Sequence, residues 1–106
     1  MIFRDLKLTN LLLLIILIAG YINAQNSSVS GFIADEETGE ALIGANVFIV
    51  ETGNGMSTDK NGYYVLQNIR PGSYTLMVSY IGYATLQKKI TFGADESIKM
   101  NLGLGI

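Results

Sequence analysis

The sequence contains neither cysteine nor histidine, and these two absences exclude several kinds of functional site. Without a thiol, the chain cannot form a disulfide, supply a thiolate nucleophile or metal ligand, or carry the lipid of a bacterial lipoprotein. Without an imidazole, it cannot form a Ser-His-Asp triad or a histidine-ligated zinc site. A metal would have to be bound by oxygen ligands alone, and the sequence predicts no cofactor.

The chain also lacks an excess of positive charge. Its 106 residues include 7 basic and 9 acidic side chains, which gives a net charge of −2. Surfaces that bind nucleic acid are normally strongly basic, because they neutralise phosphates. We therefore expect no nucleic acid partner, and the length suits a single domain.

The beginning of the chain differs from the rest and predicts an export signal. Arg4 and Lys7 form a basic start, a long apolar run follows, and Ala24 supplies the small residue expected before a cleavage site. The alternative is an uncleaved membrane anchor, but the run is shorter than the roughly 20 residues that span a bilayer. We predict a signal peptide helix over 1–24, a flexible leader over 25–28 and no membrane span in the mature chain. An export signal without cysteines fits a bacterial envelope protein.

Seven short segments alternate between apolar and polar residues, with turns every ~8–12 positions, which is the pattern of an all-β sandwich. No segment after the signal peptide has a sustained helical period. We expect the face that carries Val47 and Ile49, and the face that carries Leu76 and Val78, to be buried. The predicted strands of this seven-stranded antiparallel or mixed β-sandwich are 29–35, 45–50, 56–58, 63–67, 73–81, 85–92 and 97–104.

Glycine, proline and aspartate residues between these segments are predicted to make the turns. Asp59 is expected to bond to its own backbone in an Asx turn that Gly62 closes. Pro71 presets φ for the next turn, and Gly82 bends the chain so that Tyr83 packs back on the sandwich. The predicted structural turn residues are Gly39, Gly44, Asp59, Gly62, Pro71, Gly72, Gly82 and Tyr83.

Two groups of acidic residues invite a metal-binding or catalytic interpretation, and we predict that both are ordinary turns. An EF-hand calcium loop that begins at Asp59 needs a glutamate at its twelfth position, where this sequence has Arg70. The second group lies in one short polar loop, whereas paired-carboxylate hydrolysis needs two groups set across a cleft. The acidic residues of that loop are Asp35, Glu36, Glu37 and Glu40. We predict no metal site and no catalytic residue.

Phe48 and Tyr63 are expected on the outward faces of their strands, unlike most of the aromatic residues. If the two are neighbours, they form a small exposed contact patch. Lys88 and Lys89 are expected to keep a sheet edge soluble. An open edge of the sandwich would also be able to accept a strand from a partner, although the sequence does not identify that edge.

Five segments, taken together and in order, carry a resemblance to a known family. They are V-S-G-F-I-A-D from Val29, T-G-E-A-L-I-G-A-N-V from Thr38, S-T-D-K-N-G-Y-Y-V-L from Ser57, R-P-G-S-Y-T-L from Arg70 and S-Y-I-G-Y from Ser79. This ordered set resembles the carboxypeptidase-regulatory-like domain. The resemblance implies a transthyretin-like, Greek-key sandwich over 29–104 that is not an enzyme.

The resemblance also implies a setting. In envelope proteins of the Bacteroidetes, a signal peptide followed by such a domain often begins a TonB-dependent outer-membrane receptor. The domain then lies in the periplasm or on the periplasmic face of the outer membrane, ahead of a plug and a barrel. This implies a non-catalytic accessory or interaction domain with a protein partner in the envelope, either the receptor plug and barrel or the TonB system.

The sequence departs from the receptor pattern because it ends at Ile106, without plug or barrel. Residues 105–106 are therefore either a natural C-terminal end or a truncation point. Two alternatives stay open. One is a stand-alone exported module that binds a glycan or a peptide. The other is the accessory domain of a secreted metallocarboxypeptidase, whose zinc ligands would lie in another domain.

Overall fold

The computed structural model describes residues 10–12 and 26–106, and the second range is an all-β sandwich of two sheets. This confirms the predicted fold class. The predicted signal peptide, 1–24, lies outside the described residues apart from 10–12. The strands are β1 Ser27–Asp35, β2 Asn46–Ile49, β3 Gly55–Ser57, β4 Tyr63–Ile69, β5 Gly72–Ser79, β6 Leu86–Phe92, β7 Ser97–Lys99 and β8 Leu102–Leu104.

The two sheets have different strand orders. In the first sheet the order is β4-β1-β7, and β8 also pairs with β1. Strand β1 pairs with β4 in antiparallel fashion, and with β7 and β8 in parallel fashion. In the second sheet the order is β3-β2-β5-β6, and all of its pairs are antiparallel. The sandwich is therefore mixed, and its parallel pairs lie only in the first sheet.

The core lies between the two sheets, on the faces that the alternation predicts. Val47 and Ile49 of β2 and Leu76 and Val78 of β5 are fully buried. Burying one such side chain stabilises the fold by roughly 1.5–3 kcal/mol relative to leaving it exposed. Tyr64 of β4 is also fully buried.

Tyr64 keeps a polar atom satisfied inside this apolar core. Its hydroxyl donates a 2.7 Å hydrogen bond to the carbonyl oxygen of Met100. Burial, with a smaller contribution from Tyr63, raises the pKa of Tyr64 to about 12. The neutral phenol therefore persists at physiological pH, and it ties β4 to the segment between β7 and β8.

The structure has eight strands where seven were predicted, because the predicted strand 97–104 is interrupted at Met100 and Asn101. The register of β7 and β8 on β1 is the same on both sides of the break. At the break, the amide of Phe32 donates to Asn101 Oδ1 at 2.9 Å, in place of a backbone pair. A Cβ atom on Gly31 would collide with the Met100 carbonyl group. The place where β1 passes this break, which we call the crossing, therefore requires glycine at position 31.

Strand β1 begins earlier than predicted. It starts at Ser27, so the two serines that were assigned to a flexible leader belong to the strand. The Ser27 side chain is buried; its Oγ donates to the Gly93 carbonyl oxygen at 2.8 Å and accepts from the Glu96 amide at 2.9 Å. These bonds explain why a polar residue extends the strand.

Strand β5 ends earlier than predicted, at Ser79. It ends there because a turn follows directly, in which the Tyr83 amide donates to the Tyr80 carbonyl oxygen.

We predict that Leu76→Ala lowers the free energy of unfolding by about 2–5 kcal/mol, because it leaves a cavity between the sheets. Met77→Ala is the matched control, since Met77 is half-buried on the opposite face of the same strand. It should cost less than about 1 kcal/mol. Urea denaturation measures both values. A loss below about 1 kcal/mol for Leu76→Ala would mean that this position is not part of the core.

We also predict that Gly31→Ala lowers the free energy of unfolding by about 1–3 kcal/mol, because the new methyl group overpacks the crossing. The Phe32 amide should lose its protection from hydrogen exchange, since its acceptor is Asn101 at the same crossing. The neighbouring Ser30→Ala is the control and should change stability by no more than about 0.5 kcal/mol. Unchanged stability with a protected Phe32 amide would contradict the required close approach.

Candidate interaction surface

Three connections and the last residues of the chain meet at one end of the sandwich, which we call the loop end (residues 36–45, 58–62, 80–85 and 105–106). The amide of Leu42 donates to the carbonyl oxygen of Ile33 at 3.0 Å, which holds the first connection against β1. The amide of Ala84 donates to the Gly105 carbonyl oxygen at 2.7 Å, which joins the third connection to the chain terminus. The loop end is therefore built from segments that are far apart in sequence.

Thr58 fixes the first connection to the second. Its side chain is buried. Its Oγ1 donates to the carbonyl oxygen of Leu42 at 2.5 Å and accepts from the amide of Ala45 at 2.9 Å. The Thr58 amide also donates to the Ala45 carbonyl oxygen at 2.9 Å. The sequence analysis placed Thr58 at a strand end and missed this role, because its partners lie 13 and 16 residues away.

Asp59 lies in a tight turn within the second connection. Its Oδ1 accepts from the amides of Asn61 at 2.8 Å and Tyr63 at 3.0 Å. Gly62 closes the turn with a φ of 76°, and a Cβ atom there would lie 2.7 Å from the Ile33 carbonyl oxygen. One oxygen of the carboxylate, Oδ1, is thus occupied by two backbone donors. Within residues 10–12 and 26–106, no three His, Cys, Asp or Glu side chains gather as metal ligands would.

Asp35 and Tyr83 connect β1 to the third connection. The Tyr83 hydroxyl donates to Asp35 Oδ2 at 2.8 Å, and Asp35 Oδ1 accepts from the amides of Glu37 at 2.8 Å and Thr38 at 3.0 Å. These hydrogen bonds hold the pKa of Asp35 below its ordinary value of 3.8, and the bond from the Thr38 amide has the largest effect. The same bond to Asp35 raises the pKa of Tyr83. Tyr83 also packs on Tyr80, with ring centroids 5.6 Å apart.

The structure places the other predicted turn residues in connections at the two ends of the sandwich. Pro71 lies between β4 and β5, at the end opposite the loop end, and Gly72 is the first residue of β5. Three glycines lie in the connections of the loop end and have positive φ; they are Gly39, Gly44 and Gly82.

Apolar side chains are exposed at the loop end. Ile43 is 56% exposed, Ile81 is 91% exposed and Ile106 is 95% exposed. An open depression of about 410 Å³ lies beside Ile81, and its walls are Gly44, Asn46, Ser79, Tyr80 and Ile81. An exposed apolar side chain beside a shallow, partly polar depression can contact the surface of another protein.

The opposite end carries a smaller cleft, of about 220 Å³. It lies below the ~300–1,000 Å³ of ordinary small-molecule pockets. Its walls are Thr52, Asn54, Asn68, Ile69, Arg70 and Tyr74.

The structure does not bring Phe48 and Tyr63 together. Phe48 lies in the second sheet, beside Gly55 and Met77, whereas Tyr63 lies in the first. The neighbour of Tyr63 is Phe32 of β1, with ring centroids 5.2 Å apart. Phe32 is half exposed, and the sequence analysis missed it as a surface aromatic residue although it alternates with the buried Ile33. A small aromatic surface therefore exists on the first sheet, formed by Phe32 and Tyr63.

We predict that Tyr83→Phe raises the pKa of Asp35 toward 3.8, because one of its donors is lost. The folded-state pKa of Asp35 is lowered, so its contribution to stability is present above 3.8 and is lost as pH falls through the folded-state pKa. NMR titration of the Asp35 carboxyl carbon measures the shift. Tyr80→Phe is the matched control and should leave the titration unchanged. An unaltered Asp35 pKa in Tyr83→Phe would contradict the bond.

Within the residues that the structure describes, no helix is long and apolar enough to cross a membrane.

Several curated proteins are similar to this chain. TonB-dependent receptor P3 of Formosa agariphila is 30% identical over 92 residues, which cover 87% of this chain and 9% of the receptor. TonB-dependent receptor P26 of the same organism is 38% identical over 74 residues, 70% of this chain and 7% of that receptor. Human carboxypeptidase D is 28% identical over 79 residues, 74% of this chain and 6% of the enzyme. The chain thus spans less than a tenth of the length of each relative.

Among solved structures, the Bacillus anthracis TIE protein is similar in fold, with a TM-score of 0.63 and 22% identity over 76% of this chain and 16% of that one. The sequence profile of the CarboxypepD_reg-like domain matches residues 29–105. This match covers most of the chain and nearly all of the sandwich, so the chain belongs to the carboxypeptidase-regulatory-like domain family.

Proposed function

We infer that this sandwich is a non-catalytic accessory domain of a TonB-dependent outer-membrane receptor system, and that it acts in the periplasm or on the periplasmic face of the outer membrane. The observation that carries this proposal is its similarity to two TonB-dependent receptors, 30% and 38% identical to it. The basic, apolar and small residues of the first 24 positions support export.

The absence of histidine and cysteine from the sequence supports a role without chemistry, since it removes the thiolate nucleophile, the imidazole base and the commonest zinc ligands. The matched family is also described as regulatory-like. The mechanism would be recognition and positioning through surface contacts, in which no covalent bond is made or broken.

The loop end is the surface we assign to contacts within the receptor system. Its connections are held in place by Thr58 and by the bond between Tyr83 and Asp35, so they are pre-organised for binding. Ile81 is the most exposed apolar side chain of these connections, at 91%. Burying it against another protein would remove apolar surface from water, which favours association.

The accessory domain of a secreted metallocarboxypeptidase is a second candidate. It is favoured by the 28% identity to carboxypeptidase D over 79 residues. In that case the enzyme activity would belong to another domain, and the sandwich would again act only through its surface. The stand-alone glycan- or peptide-binding module has no comparable observation in its favour.

The coding DNA after codon 106 separates these candidates. A receptor predicts a long open frame that encodes a plug and then amphipathic segments of ~10 residues that alternate in hydrophobicity. A peptidase predicts a domain with zinc ligands in the same frame. An immediate stop codon in intact DNA would contradict both and leave the stand-alone module.

A crosslinking experiment tests the assigned surface directly. We predict that a photoreactive residue in place of Ile81 crosslinks to an envelope protein, or to another part of the same polypeptide, in membranes of the native cell. Arg70 is the matched control position, since it is exposed but lies at the opposite end of the sandwich. Equal crosslinking from both positions, or none from Ile81, would contradict the assignment of the loop end.

A further inference from the structure

The edges of the two sheets differ in how well their backbone groups are satisfied. Strands β3, β7 and β8 have three residues each, too few to template a long partner strand. Strands β4 and β6 lie at edges and have seven residues each. Unpaired amides and carbonyl groups on such an edge are a ready template for a strand from another chain.

Residues of β3 and of the connections on both sides of it occupy the open edge of β4. Tyr63 exchanges two hydrogen bonds with Asp59, because its amide donates to Oδ1 and its carbonyl oxygen accepts from the Asp59 amide, both at 3.0 Å. The amide of Val65 donates to Met56 Sδ at 3.2 Å. The carbonyl oxygen of Gln67 accepts from Asn54 Nδ2 at 3.0 Å. A second strand would have to displace all of these bonds.

Within residues 26–106, no loop or side chain bonds to the open edge of β6 in this way. Thr75 of β5 directs its amide and carbonyl group toward Glu51 and Val50, on the side of β2. Its neighbours Tyr74 and Leu76 therefore direct theirs toward β6, where they lie opposite Ile90 and Lys88. The alternate residues of β6 then direct their amides and carbonyl groups away from the sheet. These residues are Gln87, Lys89 and Thr91, and within residues 26–106 no hydrogen bond reaches their outward groups.

The same edge is positively charged. Lys88 and Lys89 are exposed in the middle of β6. Residues 26–106 contain five basic side chains, and two of them are adjacent on this edge. Lys88 is on the face of β6 that buries Ile90 and Phe92, yet it remains exposed.

Nearby carboxylates leave much of this charge free. Glu51 accepts two hydrogen bonds from Thr75, which lower its pKa more than Lys89 does. Asp95 and Glu96 lie beyond the end of β6, in the connection to β7. The lysines in the middle of the strand therefore remain available to carboxylates of a partner.

A second copy of the chain does not suit this edge. Lys89 is the central residue of β6, so two copies paired in full antiparallel overlap would place Lys89 directly opposite Lys89. Like charges in that arrangement are destabilising. The lysines thus disfavour self-association and favour a strand that carries carboxylates.

We propose that β6 is a docking edge for an extended acidic segment of a partner protein, which adds to the second sheet as a further strand. The backbone of that segment bonds to Gln87, Lys89 and Thr91, and its carboxylates meet Lys88 and Lys89. This goes beyond the proposed function, because it identifies an edge and the chemistry of its partner whichever parent protein carries the domain.

The test uses protein expressed from the full coding sequence and three synthetic peptides of seven residues. The first carries two adjacent glutamates among valines, so that one carboxylate lies on each face of the strand. The second carries two adjacent lysines at the same positions, and the third is the acidic peptide with N-methyl groups on the amides that would pair. NMR should show the first peptide shifting the amide signals of Gln87, Lys89 and Thr91 and slowing their hydrogen exchange. The second cannot complement the lysines, and the third keeps the charge but cannot form the strand.

Charge reversal supplies the matched variants. Lys88→Glu with Lys89→Glu should weaken binding of the acidic peptide by about tenfold or more, from the loss and reversal of two exposed ion pairs. Lys60→Glu makes the same kind of charge change in an exposed turn at the loop end and should change binding by about twofold or less. Gln87→Pro removes one outward amide and should also weaken binding. Thermal melts of each variant establish that it is folded.

Three results would overturn the proposal. They are no binding of the acidic peptide at millimolar concentration, equal binding of its N-methylated form, and signal changes centred away from β6. The second would show that attraction between charges, without strand addition, accounts for the binding.

Discussion

The first sheet depends on the pairing of β1 with the end of the chain. Strand β1 is paired with β4 on one side and with β7 and β8 on the other, so it joins the middle of the sequence to its end. Both C-terminal strands run parallel to it, which requires the long connection that the second sheet supplies. Gly31 makes this pairing feasible, because the backbone at Met100 approaches too closely for any side chain. The first sheet is complete only when β7 and β8 are paired with β1.

That constraint also determines where the surfaces lie. Pairing β8 with Ile33 to Asp35 brings the chain terminus to the loop end, where the Gly105 carbonyl oxygen accepts from Ala84. The bond from Tyr83 to Asp35 then joins the same end of β1 to the connection that carries Ile81. The apolar side chains of the loop end are thus presented by segments that are fixed to the sandwich. Connections that are fixed in this way lose less conformational entropy when they bind a partner.

Local patterns in the sequence were enough to predict the sandwich and its buried faces. Alternation placed Val47, Ile49, Leu76 and Val78 in the core because side-chain direction in a strand has a period of two residues. Alternation does not say which strands share a sheet. For this reason it left open whether Phe48 and Tyr63 were neighbours, and it missed Phe32 beside Tyr63. The interruption at Met100 and the early start at Ser27 were missed for a related reason, since both depend on partners more than 65 residues away.

The two long edges show how one fold can combine protection with recognition. Around β4, backbone groups are bonded by Asp59, Met56 and Asn54, all from the neighbouring connection and strand β3, so pairing there would cost existing bonds. Within residues 26–106, the protection along β6 comes from charge alone. A lysine disfavours pairing with a neutral or basic strand because its ammonium group would lose water without gaining a hydrogen-bond partner. A carboxylate on the added strand would supply that partner. The lysines that keep β6 from non-specific pairing can therefore also select an acidic partner.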